Sequence, residues 1–72
     1  MSSMKEIFAK NLQLLLKEAK INARKLSEDL QISSGRMSLW VQGKNMPSVE
    51  NLVKIADYFA VSLDYLVGRK DY

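Results

Sequence analysis

Neither cysteine nor histidine occurs in this chain of 72 residues, and that restricts how so short a chain can be stable. A domain of this size hides only about 60% of the surface that its unfolded chain exposes. Many such domains therefore depend on disulfides or a bound metal ion, and the disulfides and common zinc sites need residues that are missing here. Stability must come from apolar packing, which suits the 47% share of apolar residues.

The same two absences narrow the possible functions. A thiol nucleophile needs cysteine, and the commonest general base is histidine. The sequence also contains no pair of carboxylates and no nucleophile with a base at a spacing that indicates catalysis. We therefore predict that the chain is not an enzyme, needs no cofactor or metal, and has no small-molecule substrate.

The hydropathy pattern indicates a protein that acts away from membranes. The longest uninterrupted apolar run is residues 58–61, whereas a membrane-spanning helix needs about 18 or more. The first residues do not resemble a secretory signal, because no apolar stretch is followed by a small-residue cleavage site. We expect a cytoplasmic setting.

Basic charge is concentrated in the first two thirds of the chain. The net charge is +3, but residues 1–44 carry eight lysines and arginines against four acidic residues, and residues 45–72 carry three against four. A polyanion could bind the basic part, and an ordinary solvated surface of mixed charge explains the distribution equally well.

Apolar residues recur at helical spacing along the whole chain, and serine or asparagine stands where each helix from the second to the fifth would begin. Five helices are predicted at about 4–19, 23–30, 34 to 41 or 42, 48–59 and 62–67. The inward stripe of the first is Phe8, Leu12, Leu15, Leu16 and Ala19. Gly43 supplies the stop after the third helix. The fold class is all-α: one compact five-helix domain over residues 1–72.

The third predicted helix has the surface most informative about function. At 100° per residue, Met37, Trp40 and Val41 define its buried side. The opposite side and its flanks are formed by Gly35, Arg36, Ser38, Leu39 and Gln42. A face without an acidic residue can enter a DNA groove without repulsion, although it can also simply face solvent. A turn of about three residues between two short capped helices favours the DNA interpretation.

The segments NARKLS (22–27), LQIS (30–33) and MSLW (37–40) resemble the helix-turn-helix core of the phage-repressor family, the Cro/repressor type of DNA-binding domain. The segments GKNMPSVENL (43–52), IA (55–56) and VSLDYLVG (61–68) are similar to the last two helices of that family. The resemblance covers about residues 8–68, with a central helix-turn-helix at about 22–42 and supporting helices at 48–59 and 62–67.

The resemblance implies a bacterial or phage-encoded transcription regulator, typically a repressor, that binds double-stranded DNA as a homodimer on a pseudo-palindromic operator. By position, it implies that DNA bases contact a set of residues that we call the base-contact set: Ser34, Gly35, Arg36, Ser38 and Leu39. The phosphate-contact set that it implies is Asn22, Ala23, Arg24, Ser33, Gln42, Gly43, Lys44 and Asn45. The dimer surface is expected near Tyr58, Tyr65 and Val67.

Several positions depart from the family pattern. Ala23 replaces the usual glutamine at the start of the second helix, so a side chain that would hold phosphate is missing. Leu16 and Val41 stand where the family often has an arginine–glutamate pair, and we expect them to form a buried apolar pair. Lys20 replaces a glycine that often ends the first helix. Gly35 lowers the stability of a helix by about 1 kcal/mol relative to alanine. A glycine here is an advantage only if the backbone must approach DNA closely.

A protein-binding module on the same fold, such as an antitoxin or antirepressor component, is the alternative function. In that case Leu39 would be an apolar anchor, and Gly35 would leave room for the partner. The missing glutamine and the modest net charge favour this alternative, whereas Arg24, Arg36 and Lys44 favour DNA.

Overall fold

Five α-helices follow one another in the computed structural model, which describes residues 3–69, and no strand occurs in that range. They are α1 (Met4–Ala19), α2 (Ala23–Leu30), α3 (Ser34–Val41), α4 (Val49–Phe59) and α5 (Leu63–Leu66). The predicted all-α class and the number of helices are confirmed. The third helix ends at Val41, one of its two predicted ends, with Gln42 as its C-cap. The fifth helix is one residue shorter than predicted at its C-terminal end, where Val67 is the C-cap. Residues 1–2 and 70–72 of the predicted domain lie outside the described residues.

Every helix begins at a side chain that accepts a hydrogen bond from a backbone N–H one turn later. The caps are Ser3, Asn22, Ser33, Ser48 and Ser62. The last four are the predicted caps. Ser3 and Glu6 form a reciprocal capping box, and the hydrogen bonds that Glu6 accepts from Ser3 lower the pKa of its carboxyl group. These bonds pair N–H groups that have no partner within the helix, so they fix where each helix starts.

Three of the connections between helices share one design, and we call them the three-residue linkers: residues 20–22, 31–33 and 60–62. The first residue of each linker is left-handed, with φ of 59°, 57° and 56°. The second is apolar and packs against the core, and the third is the N-cap of the next helix. The chain therefore ends one helix and starts another within three residues.

The apolar residue explains why the left-handed turn occurs without glycine. Ile21, Ile32 and Val61 each donate a backbone N–H to a carbonyl of the last turn of the preceding helix, which is the hydrogen bond of a Schellman motif. Burying the apolar side chain and making this bond offset the cost of a left-handed residue, which is about 1 to 2 kcal/mol. Lys20 adopts the conformation that glycine often supplies at this position in the family.

The same apolar residues also anchor the start of the next helix. Four residues after the caps stand Leu26, Met37 and Leu66, each with no exposed surface. An apolar residue before the cap and another at this position are the two parts of a hydrophobic staple. The staple sets the angle at which the chain enters α2, α3 and α5.

The core confirms most of the inward residues predicted from periodicity. Its members with no exposed surface include Phe8 and Leu12 of α1 and Ile55 of α4, and Trp40 is 4% exposed. Ala19 is exposed, so its inclusion in the inward stripe was wrong: it is the last residue of α1, where no helix covers the stripe. No described helix is long and apolar enough to span a membrane.

The prediction that Leu16 and Val41 form a buried apolar pair is only half correct. Leu16 is 7% exposed and belongs to the core. Val41 packs against that core but is only half-buried, because it is the last residue of α3 and one side of it faces an open groove. Neither position leaves a charge in the interior, as expected from the two apolar side chains.

A small polar cluster joins α2 to α4 on the surface. The Tyr58 hydroxyl donates a hydrogen bond of 2.6 Å to the carboxylate of Asp29, and the ammonium of Lys25 lies 3.1 Å from the same carboxylate. The bond from Tyr58 and then the bond from Lys25 lower the pKa of Asp29. The same bond raises the pKa of Tyr58.

The substitution Tyr58→Phe should lower the melting temperature only within a defined pH range. A lowered Asp29 pKa stabilises the fold above the ordinary value of 3.8, and this contribution is lost as pH falls through the folded value. A raised Tyr58 pKa stabilises the fold below 10.0, and this contribution is lost as pH rises through the folded value. The difference between the two proteins should therefore be constant from about pH 5 to 9 and shrink towards pH 2.

Thermal melts followed by circular dichroism measure this difference. The matched control is Tyr65→Phe, which removes a phenolic hydroxyl from α5 and leaves Asp29 unchanged. A Tyr58→Phe difference that does not change between pH 6 and pH 2 would contradict the assignment.

Candidate nucleic-acid interface

The outward face of α3 is formed largely as the helical wheel predicts. Ser34, Gly35, Arg36 and Ser38 are exposed on this helix. Met37 and Trp40 face the core instead. Ser33 begins α3 by accepting a hydrogen bond of 3.2 Å from the backbone N–H of Arg36. Packing one side of a short helix therefore leaves four of the five members of the base-contact set exposed to solvent.

Leu39 is the member of the base-contact set that differs from expectation. It is half-buried, and it lines a hollow of about 210 Å³ between α3 and the start of α4. We call this the α3–α4 hollow. Its lining residues are Arg36, Leu39, Trp40, Asn45, Met46, Pro47, Ser48 and Asn51. The hollow brings two predicted base-contacting residues together with Asn45 of the phosphate-contact set.

A larger groove of about 470 Å³ runs between the other side of α3 and the start of α2. We call this the α2–α3 groove. Its lining residues are Ala23, Arg24, Ser27, Ser34, Ser38, Val41 and Gln42. Ala23 stands where the family usually has glutamine, so its short side chain leaves this groove open. The groove brings members of both predicted sets to one surface.

The small residue Ser27 allows α2 and α3 to lie close together. Ser27 is buried, and its hydroxyl donates a hydrogen bond of 2.9 Å to the carbonyl of Ala23 one turn earlier. The bond satisfies the hydroxyl within α2, so a polar group can be buried against α3 without penalty.

Arg24 is the cation that the α2–α3 groove presents to solvent. Its side chain is 83% exposed, and its Nε lies 3.8 Å from a carboxylate oxygen of Glu28, which is also exposed. Surface ion pairs of this kind contribute at most about 1 kcal/mol. The guanidinium can therefore leave Glu28 for a phosphate group at little cost.

The four residues after α3, Gln42 to Asn45, differ in their contacts with the rest of the protein. Gln42 donates a hydrogen bond of 2.6 Å from Nε2 to the Ser38 hydroxyl, so the two side chains are fixed as a pair. Gly43 has φ of 76°, and a Cβ there would lie 3.5 Å from the Cβ of Ala9. Lys44 and Asn45 are exposed in the following loop. Gly43 thus packs against α1 and leads the chain into that loop.

The stretch of sequence that contains α3 carries charge of one sign. Residues 30–49, which include the turn, α3 and the loop after it, contain Arg36 and Lys44 and no acidic residue. Asn22 and Ser33 cap the N-terminal ends of α2 and α3, which carry partial positive charge. Both features favour an anionic partner over a cationic one.

Two polar residues next to this surface were missed from the sequence. Asn51 is half-buried and lines the α3–α4 hollow. Gln13 of α1 donates a hydrogen bond of 2.7 Å from Nε2 to the carbonyl of Val41. A polar amide in the first turn of α4 was a visible signal for Asn51, whereas nothing local distinguishes Gln13 from a solvated residue.

The pair α2 and α3, joined by the turn at residues 31–33, defines a helix-turn-helix protein. Residues 12–66 match the helix-turn-helix family, and the chain belongs to that family. The match includes all of α2, α3, α4 and α5 and the second half of α1. The predicted resemblance to the Cro/repressor type of domain is confirmed.

Two curated proteins are similar to the chain. One is the cryptic phage CTXphi transcriptional repressor RstR of Vibrio cholerae serotype O1, which is 36% identical over 62 residues, or 75% of this chain and 55% of the relative. The other is the HTH-type transcriptional activator BcrR of Enterococcus faecalis, which is 31% identical over 64 residues, or 89% of this chain and 31% of the relative. The chain thus spans about half and about a third of these relatives. No solved structure matches the chain.

The substitution Gly35→Ala should stabilise the free protein. Gly35 lies inside α3, and a Cβ there would meet no atom within 4 Å. Alanine should therefore add about 1 kcal/mol, which for a domain of this size raises the melting temperature by about 4 to 8 °C. Calorimetry measures the change. A lower melting temperature would contradict this account, and a more stable variant with weaker duplex binding would support close approach of DNA at Gly35.

Proposed function

We propose that the chain binds double-stranded DNA in a sequence-specific manner and regulates transcription, most simply as a repressor that occupies an operator. The observation that carries the proposal is the outward face of α3, which is free of acidic residues and has the α2–α3 groove on one side and the α3–α4 hollow on the other. In this arrangement α3 enters the major groove. Its place of action is then the cytoplasm of a bacterium.

Direct reading of bases is assigned to the exposed polar residues of α3. The hydroxyl groups of Ser34 and Ser38 can donate to or accept from base edges, and Arg36 can donate to guanine or to a neighbouring phosphate. Leu39 reaches a thymine methyl group only with the exposed part of its half-buried side chain. Gly35, with no side chain, lets the backbone of α3 lie close to the groove wall.

Phosphate binding is assigned to both sides of α3. Backbone N–H groups at the N-terminal end of α2, near Ala23, can replace the missing glutamine side chain. Arg24 adds a cation on that side, and Lys44 adds one in the loop after α3. Such contacts fix the position of the protein on the duplex and carry no sequence information themselves.

A homodimer is part of the proposal because one copy of α3 spans only about half a turn of DNA. Each copy measures 30 × 23 × 22 Å, so two copies side by side can present their α3 helices one turn, about 34 Å, apart. Val53, Tyr58 and Leu63 are 38–40% exposed on α4 and α5. We place the dimer surface there, close to the half-buried Tyr65 and Val67.

The alternative is a protein-binding module of the antitoxin or antirepressor type. The specific observation in its favour is the open α2–α3 groove beside Ala23, which a partner's side chain could fill. The partly buried position of Leu39 counts against its use as an apolar anchor, because little of the side chain is left to enter a partner.

Selection of bound sequences from a random duplex pool tests the proposed function. We expect two half-sites related by two-fold symmetry, with centres about 10 base pairs apart. The logarithm of the affinity for that site should fall linearly with the logarithm of the salt concentration, at a slope of about −0.9 for each phosphate contact. If no sequence is enriched, or if the protein binds no duplex at low salt, the DNA proposal is wrong and the protein-binding alternative replaces it.

Two substitutions separate base reading from phosphate binding. Leu39→Ala should weaken binding to the selected site by about 1 to 3 kcal/mol and leave random duplex nearly unchanged, because one methyl contact is lost. Lys44→Ala should weaken every duplex alike and make the salt slope shallower by about one unit per subunit. Titrations of both duplexes at several salt concentrations measure these effects.

Lys10→Ala is the matched control for the charge, since it removes a lysine from the exposed surface of α1, outside both contact sets and the proposed dimer surface. Each titration uses protein that circular dichroism shows to be folded, because Leu39 also contributes packing to the α3–α4 hollow. If Leu39→Ala abolishes dimerisation or protein binding while duplex affinity is unchanged, α3 is not the helix that reads DNA.

A further inference from the structure

We propose that Gln13 of α1 is a positioning residue that fixes the C-terminal end of α3 through its hydrogen bond to the Val41 carbonyl. Its side-chain amide donates from Nε2 over 2.7 Å to an oxygen 28 positions away in the sequence. The inference deepens the proposed function and rests on it where DNA is concerned. It assigns a role to an exposed residue that belongs neither to the core nor to the base-contact set.

Val41 is the last residue of α3, so no further turn of helix supplies a donor to its carbonyl. The three carbonyls before it, those of Ser38, Leu39 and Trp40, accept from the backbone N–H groups of Gln42, Lys44 and Gly43 at 3.0, 2.9 and 3.1 Å. These bonds are made within α3 and the turn that follows. The bond from Gln13 joins the end of α3 to a different helix.

The hydrogen bond from Gln13 lies next to residues that we propose to contact DNA. Immediately after Val41 come Gln42 to Asn45, the second half of the phosphate-contact set. Gln42 in turn is bonded to Ser38 of the base-contact set. A shift of the Val41 carbonyl would therefore move a phosphate-contacting residue and a base-contacting residue together.

The chemistry requires a donor at position 13. Carbonyl groups at a helix C-terminus carry partial negative charge, so a neutral amide N–H or an ammonium stabilises them and a carboxylate would repel them. Lysine can replace glutamine in this role. Methionine has a similar length and volume but cannot donate.

A second side chain of α1, that of Asn11, also donates hydrogen bonds to the end of another helix, and we use it for comparison with Gln13. Asn11 donates from Nδ2 to the carbonyls of Tyr65 and Leu66, at 2.9 and 3.3 Å, and so holds the C-terminal end of α5. Both side chains lie on α1, two positions apart, and both reach the last turn of another helix. Replacing Gln13 removes such a bond from the end of α3, and replacing Asn11 removes the same kind of bond from the end of α5.

The experiment compares Gln13→Met, Gln13→Lys and Asn11→Leu with the unaltered chain by amide hydrogen exchange in the free protein. Gln13→Met should speed exchange at Gln42, Gly43 and Lys44 by about two- to tenfold, the effect of losing one hydrogen bond. Gln13→Lys should restore the original rates. Asn11→Leu should instead affect Gly68 and Arg69.

The DNA measurement uses the selected duplex and a random duplex. Gln13→Met should reduce the ratio of the two affinities by about threefold, with an unchanged salt slope, and Gln13→Lys should restore the ratio. A uniform loss on both duplexes with a shallower slope would overturn the proposal, because Gln13 would then contact phosphate itself. Unchanged exchange at the end of α3 would overturn it as well.

The two failures can be distinguished. If the unaltered chain binds no duplex, the proposed function fails, while the exchange rates still decide whether Gln13 holds the end of α3. If the unaltered chain binds its selected duplex and Gln13→Met changes neither the exchange rates nor the affinity ratio, only the role of Gln13 fails.

Discussion

Burial of one apolar side chain in the middle of each three-residue linker is the interaction on which the arrangement of the helices depends. Ile21, Ile32 and Val61 each pack against the core between a left-handed residue and a capping residue. Each therefore ends one helix through a backbone hydrogen bond and starts the next through the staple position. With connections this short, the chain has little freedom in how it places successive helices, and a domain of 72 residues can form a core without disulfides.

The candidate interface follows from this packing. The linker at Ile32 brings α3 against α2, and the small buried side chain of Ser27 lets the two helices lie close together. Burying Met37 and Trp40 then leaves the acid-free side of α3 exposed, with a groove on one side and a hollow on the other. The surface that we propose for DNA is thus a consequence of how the core forms, and Gln13 of α1 donates a hydrogen bond to the last residue of α3.

Most of the fold could be predicted because its signals are local. The caps and the 3.6-residue spacing of apolar residues lie within one or two helical turns, so the helices were placed to within about one residue, and Trp40 was assigned to the core. The outward face of α3 was predicted for the same reason, since the wheel needs only the residues of that helix. The contacts of that face with DNA stay predictions, because they depend on a partner that the sequence does not describe.

The sequence by itself determined where the helices are and which side of each is apolar, because propensity, capping and periodicity act between neighbours in the chain. Tertiary structure alone decided that Ala19 is exposed, that Val41 is only half-buried and that Leu39 lies in a hollow, because burial depends on which helix stands opposite. It also decided that Lys20, Gln31 and Ala60 are left-handed, since packing of the residue after each one outweighs its preference for a right-handed conformation. The bond from Gln13 to Val41 depends on how α1 and α3 meet, and no local pattern encodes it.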